Sequence, residues 1–273
     1  EHSIYEVAMD NLSVGLDPNK VTLVQQSRIP SIGELTVFYS MLVTVNALRH
    51  NPTIKTEAAN YGYSDMTYGF LGYPVSQSAD ITFCKANLVP VGEDQKPHME
   101  MTRKIVRRFN ELYGETLVEP DMLLSDCPRL MGLDGNAKMG KSLGNAIYLS
   151  DPADEVRKKV MSAVTDATRI KKDDPGHPEI CVVSKYHKVF NGGEYENICE
   201  SCKKGAIGCV ACKKALASAL NDLLEPFREK RAYYEAHRDE VRDIILTGSE
   251  KANKIGNETV KEVKEAMHIY IGD

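Results

Sequence analysis

The stretch Val89-Pro90-Val91-Gly92-Glu93-Asp94-Gln95-Lys96-Pro97-His98 constrains the fold of this chain more than any other. An apolar run ends on a glycine, an acidic pair follows, and a helical pattern takes over from Pro97 to Tyr113. Open α/β sheets bind ligands at such turns, in the crevice beyond the carboxyl ends of their strands. Gly92 permits close backbone approach there, and Asp94 can hold a ribose hydroxyl. Glu93 and Asp94 also suit a helix N-terminus simply as caps.

The surrounding pattern fits an α/β layer with a mainly parallel sheet. Val21 to Gln26, Ile81 to Cys84 and Leu88 to Val91 read as strands. Residues 1–15, 32–49, 66–80 and 97–113 read as helices, the third broken near Pro74. After Ser150 the tone changes, and 151–163, 183–190, 207–246 and 250–268 are all helical in period. The expected division is an α/β domain over 1–150 and a helical domain over 151–273, its last helix packing back on the first. Residue 1 is Glu, and residues 1–15 read as the end of an amphipathic helix, so a missing N-terminal segment is expected.

Two more constellations carry chemistry. Tyr73, Gln77 and Asp80 lie about one turn apart and would share a helix face. A buried carboxylate is costly unless it meets a donor. An indole N–H or a phenol O–H from a ligand would serve, and so would a local turn. Lys138-Met139-Gly140-Lys141-Ser142 sets two cations and a hydroxyl between Gly135 and Gly144. That arrangement suits a polyphosphate that gathers charge as a bond breaks. Alone, it suits a solvated lysine-rich loop better.

Composition excludes several classes. The net charge of −5 gives no global basic field. Any contact with nucleic acid must use local patches such as Lys203, Lys204, Lys213 and Lys214. No apolar run is long enough to cross a bilayer, and the N-terminus lacks a signal-peptide pattern, so no membrane partner is expected. Cys199, Cys202, Cys209 and Cys212 crowd into one window as two C-x-x-C pairs. This points to thiolate–metal ligation in a reducing cytoplasm, not to disulfides. By themselves the two pairs suggest four-cysteine zinc. Cys84 and Cys127 read as ordinary core residues.

The block Val89 to Gln95, with His98, Glu100-Met101-Thr102-Arg103 and Arg108-Phe109-Asn110, resembles the bacterial tryptophanyl-tRNA synthetases, which are class I enzymes. Tyr73-Pro74 with Ala79-Asp80-Ile81 is similar to their tryptophan pocket. Lys138 to Ser142 is similar to their second signature loop, usually KMSKS. Val164-Thr165-Asp166 and Glu250-Lys251-Ala252-Asn253 recur in order, so the resemblance covers essentially the whole chain.

The resemblance implies a Rossmann-like catalytic domain followed by an all-α anticodon-binding domain. It implies a two-step ligase. L-tryptophan and ATP, with Mg²⁺, give tryptophanyl-adenylate, and the aminoacyl group then passes to tRNA(Trp). By the same resemblance Lys138 and Lys141 hold pyrophosphate, with Ser142 donating to it. Gly92, Glu93 and Asp94 hold adenosine, Leu130 contacts adenine, and Met139 joins the nucleotide-binding set. Asp80 accepts from the indole N–H and Gln95 contacts the substrate amine. Tyr73, Gln77, Ile81, Val89 and Val91 wall the indole. A homodimer is implied as well.

Two departures stand out. Gly140 replaces the usual serine, and the first class I signature, the HIGH-type motif, is absent. That motif is expected in a missing segment of roughly 30 residues or more, so these residues alone are expected to adenylate poorly. A subset of the family carries a [4Fe–4S] cluster on one distant cysteine followed by C-x6-C-x2-C. Cys181, Cys202, Cys209 and Cys212 fit that pattern, with Cys199 as a rival ligand. Two other readings are kept. A tyrosyl enzyme is opposed by the 89–110 block. A non-catalytic paralogue binding tRNA or tryptophan is permitted by Gly140 and the missing first unit.

Overall fold

A computed structural model describes residues 1–124, 130–136, 139–140 and 143–272. Contacts divide the chain into two compact units, each discontinuous in sequence. One is Glu1–Asp17 with Cys127–Val241, and the other is Pro18–Asp126 with Arg242–Asp273. The change of tone near residue 150 is therefore not where contacts divide. Helix α1 (His2–Ser13) packs on the distant α10 (Cys209–Ala236), and the C-terminal residues belong with the sheet.

In the sheet-bearing unit, β1 (Leu88–Val91) pairs in parallel with β2 (Asp121–Leu124), in register from Leu88 opposite Asp121 to Val91 opposite Leu124. A parallel pair needs a crossover, and α6 (Lys96–Tyr113) supplies it. Met99, Thr102, Ile105, Val106 and Phe109 recur every three to four residues along α6 and are buried. Pro97 sits in its first turn, where a missing N–H costs nothing. Four helices precede the sheet: α2 (Pro30–Ser40), α3 (Val45–Arg49), α4 (Pro52–Tyr61) and α5 (Tyr68–Thr82). Their apolar faces share one core with α6 and with Ala252, Val260 and Val263 of α11 (Arg238–Ala266).

Several expected elements differ. The strand at Val21–Gln26 does not form. The Gln25 N–H is bound at 3.0 Å by the Ser249 hydroxyl, and a short 3-10 turn follows at Gln26–Arg28. Gly248 approaches so closely that a Cβ there would lie 2.1 Å from the Leu23 carbonyl, so helix backbone takes the place of a strand partner. The strand at Ile81–Cys84 is instead the end of α5. Ser78 and Thr82 return their hydroxyls to the carbonyls four residues back, which keeps the helix turning. The helix over 32–49 breaks at 41–44, because the Thr44 hydroxyl caps a new start by accepting from Ala47 N–H. Helix α4 was not expected; Asn51 caps it and Gly62, at φ 66°, ends it.

The other unit is built from α1, α7 (Ala153–Ser162), α8 (Val182–Phe190), α9 (Gly192–Lys203) and α10. Val156, Val160, Val182, Val183, Tyr186, Leu216, Leu220 and Leu224 form its core. The buried Arg231 is met by Glu6, Asp10 and Glu235, which ties α1 to α10. Burying one guanidinium among several carboxylates is tolerable only because each donor finds an acceptor. The expected helix over 207–246 stops at His237, and α11 runs unbroken from Arg238, past the expected start at 250. Helix α9 forms where polar, glycine-rich sequence gave no helical period.

Candidate functional site

In the sheet-bearing unit, the Tyr73–Gln77–Asp80 face of α5 meets polar partners at every step. Tyr73 donates its hydroxyl proton to Glu57 at 3.0 Å and lies 3.0 Å from Nε2 of His98. The Gln77 amide donates to the Gln95 carbonyl oxygen at 3.0 Å. Gln95 in turn donates to the Asp94 carboxylate at 3.0 Å. Asp80 accepts from the Gln26 amide at 2.7 Å. Tyr73 and His98, then Gln77 and Gln95, form two rungs one turn apart between α5 and the start of α6.

Asp80 is half-buried, and burial raises its carboxyl above the ordinary value, with Gln26 pulling the other way. Tyr73 is pushed up by burial and by Glu57. His98 is pushed down by burial, against the pull of Glu57 and Asp94. Ile81 is buried, while Val89 and Val91 are half-buried on β1. Gly92 follows the strand in extended conformation, and a Cβ there would lie 2.8 Å from an Asp94 carboxylate oxygen. A side chain at 92 would therefore push Asp94 away. Glu93 is exposed and paired with Lys96 at 2.9 Å.

Three expected catalytic residues, Lys138, Lys141 and Ser142, lie outside the described residues. The frame of their loop is described, in the other unit. Asp134 accepts from Asn136 N–H and from the Asn145 amide, both at 3.0 Å. Asn145 accepts from Gly140 N–H at 3.0 Å, and its backbone carbonyl binds Leu133 N–H at 2.9 Å. These donors hold the Asp134 carboxyl below its usual range. At Gly132 a Cβ would lie 2.1 Å from the Asn145 amide nitrogen, so a side chain there would displace Asn145 from Asp134. Gly140 differs: a Cβ there would meet Leu143 at an ordinary 3.7 Å. Leu130 and Met139 pack on the core of this unit.

The cysteines converge in the same unit. Cys181 and Cys199 are buried, and Cys202, Cys209 and Cys212 are half-buried. All six described cysteines are free thiols. Burial, with the other four of the group close enough to repel its charge, pushes the Cys212 thiol up to about 12. Cys202 is raised by burial and eased by Arg169, whose guanidinium lies 3.8 Å from its sulfur. Gly176 closes over the group: a Cβ there would lie 2.5 Å from the Cys202 sulfur. Asp166 fixes the loop leading to it, accepting from Thr168 and from His177, and is held well below the carboxylate range by them. The expected [4Fe–4S] cluster, like the alternative of a four-cysteine zinc shell, finds no ready site. Among the described residues, no group of three or more His, Cys, Asp or Glu could hold a metal ion. A shell of that kind needs all sulfurs about 2.3 Å from one point.

The structure thus brings together Tyr73, Gln77, Asp80, Asp94 and Gln95. Sequence reasoning missed Glu57 and Gln26. Glu57 sits on a helix whose period was too weak to read, and Gln26 is 54 residues from the carboxylate it binds.

Comparison with known proteins bears on this geometry. The family described as tRNA synthetases class I (W and Y) matches residues 1–225. A tryptophan–tRNA ligase of Streptococcus mutans serotype c is 49% identical over 98% of this chain and 81% of its own length. One from Streptococcus pneumoniae serotype 4 is 46% identical over the same shares of each. A tryptophanyl-tRNA synthetase from Campylobacter jejuni, solved with ADP and tryptophan, superposes with a TM-score of 0.81 at 28% identity, covering 97% of this chain and 82% of its own. The fold is the Rossmann-like fold of class I synthetases, with substantial helical content.

Proposed function

This chain belongs to the class I tRNA synthetases of the tryptophan and tyrosine group, and from that premise we infer that it is a tryptophan–tRNA ligase. It activates L-tryptophan with ATP and joins it to tRNA(Trp). The observation that carries this is the 49% identity to a tryptophan–tRNA ligase over 98% of the chain. The half-buried Asp80, an acceptor one helix turn from Gln77, supports the choice of amino acid. A carboxylate there rewards a ligand that brings an N–H and penalises one that does not.

The first step is attack of the tryptophan carboxylate on the α-phosphate of ATP. It calls for positioning and charge neutralisation more than for proton transfer. In this reading Asp80 accepts from the indole N–H and Gln95 orients the amine, with Tyr73, Gln77, Ile81, Val89 and Val91 around the ring. Gly92, Glu93 and Asp94 receive adenosine, with Leu130 and Met139 offering apolar contact to it. Lys138, Lys141 and Ser142 neutralise the departing pyrophosphate together with Mg²⁺. Gly140 is compatible with this, since its surroundings accept either glycine or a small side chain. The helices after residue 150 serve the anticodon end of the tRNA. The enzyme acts as a homodimer in the cytoplasm. Among the described residues no helix is long and apolar enough to cross a membrane.

Cys181, Cys202, Cys209 and Cys212 form the thiolate set for a [4Fe–4S] cluster, with Cys199 beside them. The chemistry of the donors supports this: Cys181 is buried, Cys202, Cys209 and Cys212 are half-buried, and the sulfurs lie close enough together to raise Cys202 and Cys212. A cluster of several irons takes its ligands further apart than a single ion does. Its contribution would be to order the polar segment around α9. Iron and acid-labile sulfide in the purified protein would support it, and zinc without iron would remove it.

The experiment that tests the function is ATP–pyrophosphate exchange, run with tryptophan and with tyrosine, followed by aminoacylation of tRNA(Trp). Whatever exchange is measured should depend on tryptophan alone. Exchange with tyrosine would overturn it.

A further inference from the structure

The rung formed by Tyr73 and His98 has an electrostatic partner that the proposed reaction does not use. Glu57, on α4, accepts the hydroxyl proton of Tyr73 at 3.0 Å. A phenol has one proton to give. With that proton on Glu57, the 3.0 Å contact between the Tyr73 oxygen and His98 Nε2 requires the imidazole to donate. The proton of the neutral ring then sits on Nε2, and Nδ1 is left as an acceptor. His98 is 1% exposed, and its Nδ1 has no partner among the described residues.

The rung is thus a chain of acceptors: the Glu57 carboxylate, the remaining lone pair of the Tyr73 oxygen, and His98 Nδ1. The charges that reach His98 are the carboxylates of Glu57 and Asp94. Lys96, the nearest cation in sequence, is engaged by Glu93. The surplus of negative charge, with the Tyr73 oxygen left as an acceptor, calls for a cation from outside. The next rung, one turn along α5, holds Gln95, assigned above to the substrate amine.

We propose that Glu57, acting through Tyr73 and His98, supplies the counter-charge that selects the ammonium group of the amino-acid substrate. The inference rests on the reading of this face as the tryptophan site. Glu57 is a positioning residue: it fixes the proton of Tyr73, turns the phenol oxygen into an acceptor, and makes the rung negative.

The chain contains no tryptophan residue, so the fluorescence of added indoles reports binding without protein background. Three ligands separate the groups: tryptophan, tryptamine (amine, no carboxylate) and indole-3-propionate (carboxylate, no amine). Glu57→Gln keeps the shape and an acceptor for Tyr73 and removes only the charge. It should weaken tryptophan and tryptamine by about tenfold or more, the worth of a hydrogen bond to a charged group, and leave indole-3-propionate unchanged. Glu57→Asp should recover most of the loss. Equal weakening of all three ligands, no change in any, or an aspartate variant as weak as the glutamine one would overturn the inference. If the unaltered protein binds none of the three, the reading of the site falls as well. If it binds tryptophan and Glu57→Gln changes nothing, only the role of Glu57 falls.

Discussion

The polar face of α5 and the cysteine group of the other unit are both gathered from distant sequence, but they are completed differently. On α5, almost every polar side chain already has a protein partner: Tyr73 with Glu57 and His98, Gln77 with Gln95, Asp80 with Gln26. Among the cysteines the main mutual effect is repulsion, with burial and neighbouring sulfurs raising Cys202 and Cys212. The first site is organised before any ligand arrives, so a ligand need only exchange one hydrogen bond for another. In the second, burial and the neighbouring sulfurs hold Cys202 and Cys212 toward the protonated thiol until something displaces the protons. Pre-organisation favours selectivity, and thiols held only by long, weak contacts, such as Cys202 with Arg169 and Cys212 with His187, favour capture.

The largest expected effect tests the first half of that contrast. Asp80→Ala should weaken tryptophan binding on the order of 100-fold and change ATP affinity by less than about twofold. Equilibrium titration of both ligands checks this, and equal losses would show that the face is merely structural. Next comes the capture site. If the proposed cluster is present, Cys202→Ser should remove its iron and lower the melting temperature by several degrees, whereas Cys199→Ser should keep the iron. Iron retained in the first variant and lost in the second would move the ligand role to Cys199. Gly176→Ala forces a Cβ to within 2.5 Å of the Cys202 sulfur. It should cost about 1–3 kcal/mol by overpacking, read by thermal or denaturant unfolding.

A smaller effect follows from the raised carboxyl of Asp80. A group raised in the folded state stabilises fully below its unfolded value, and that stability is lost as pH rises through the folded value. At neutral pH the charge therefore opposes folding. Asp80→Asn should raise the melting temperature slightly at neutral pH, change nothing in strong acid, and still bind tryptophan poorly. A fall in melting temperature at neutral pH would mean that Gln26 outweighs the burial. Smallest of all, Gly140→Ser should shift stability by less than about 0.5 kcal/mol, because the site has room for a Cβ.

Legibility differed between elements for physical reasons. Helix α6 was plain in the sequence, since its buried residues repeat every three to four positions and Pro97 marks its start. The strand Leu88–Val91 and its following glycine were equally plain. The run Val21–Gln26 was misleading: a β-branched segment becomes a strand only where a partner offers its ladder, and here Ser249 and Gly248 take that place. Ile81 to Cys84 misled because hydroxyl-to-carbonyl bonds at Ser78 and Thr82 carried the helix onward. Tyr73, Gln77 and Asp80 could be placed on one face from spacing alone, but Glu57 and Gln26 could not.

Sequence by itself determined the chemistry: which carboxylate sits at one-turn spacing from Tyr73 and Gln77, which glycine follows the strand, which cysteines lie close in the chain, and the family those residues resemble. These are local patterns, and local periodicity follows from backbone geometry. Tertiary structure decided the partners. It set Gln26 on Asp80, Glu57 on Tyr73 and Arg169 beside Cys202, and it placed residues 242–272 with the sheet instead of with the helices before them. Charge state, tautomer and acceptor surplus depend on such contacts across long sequence separations. Hydrogen bonds and burial act through space, and the order of residues along the chain does not record that distance.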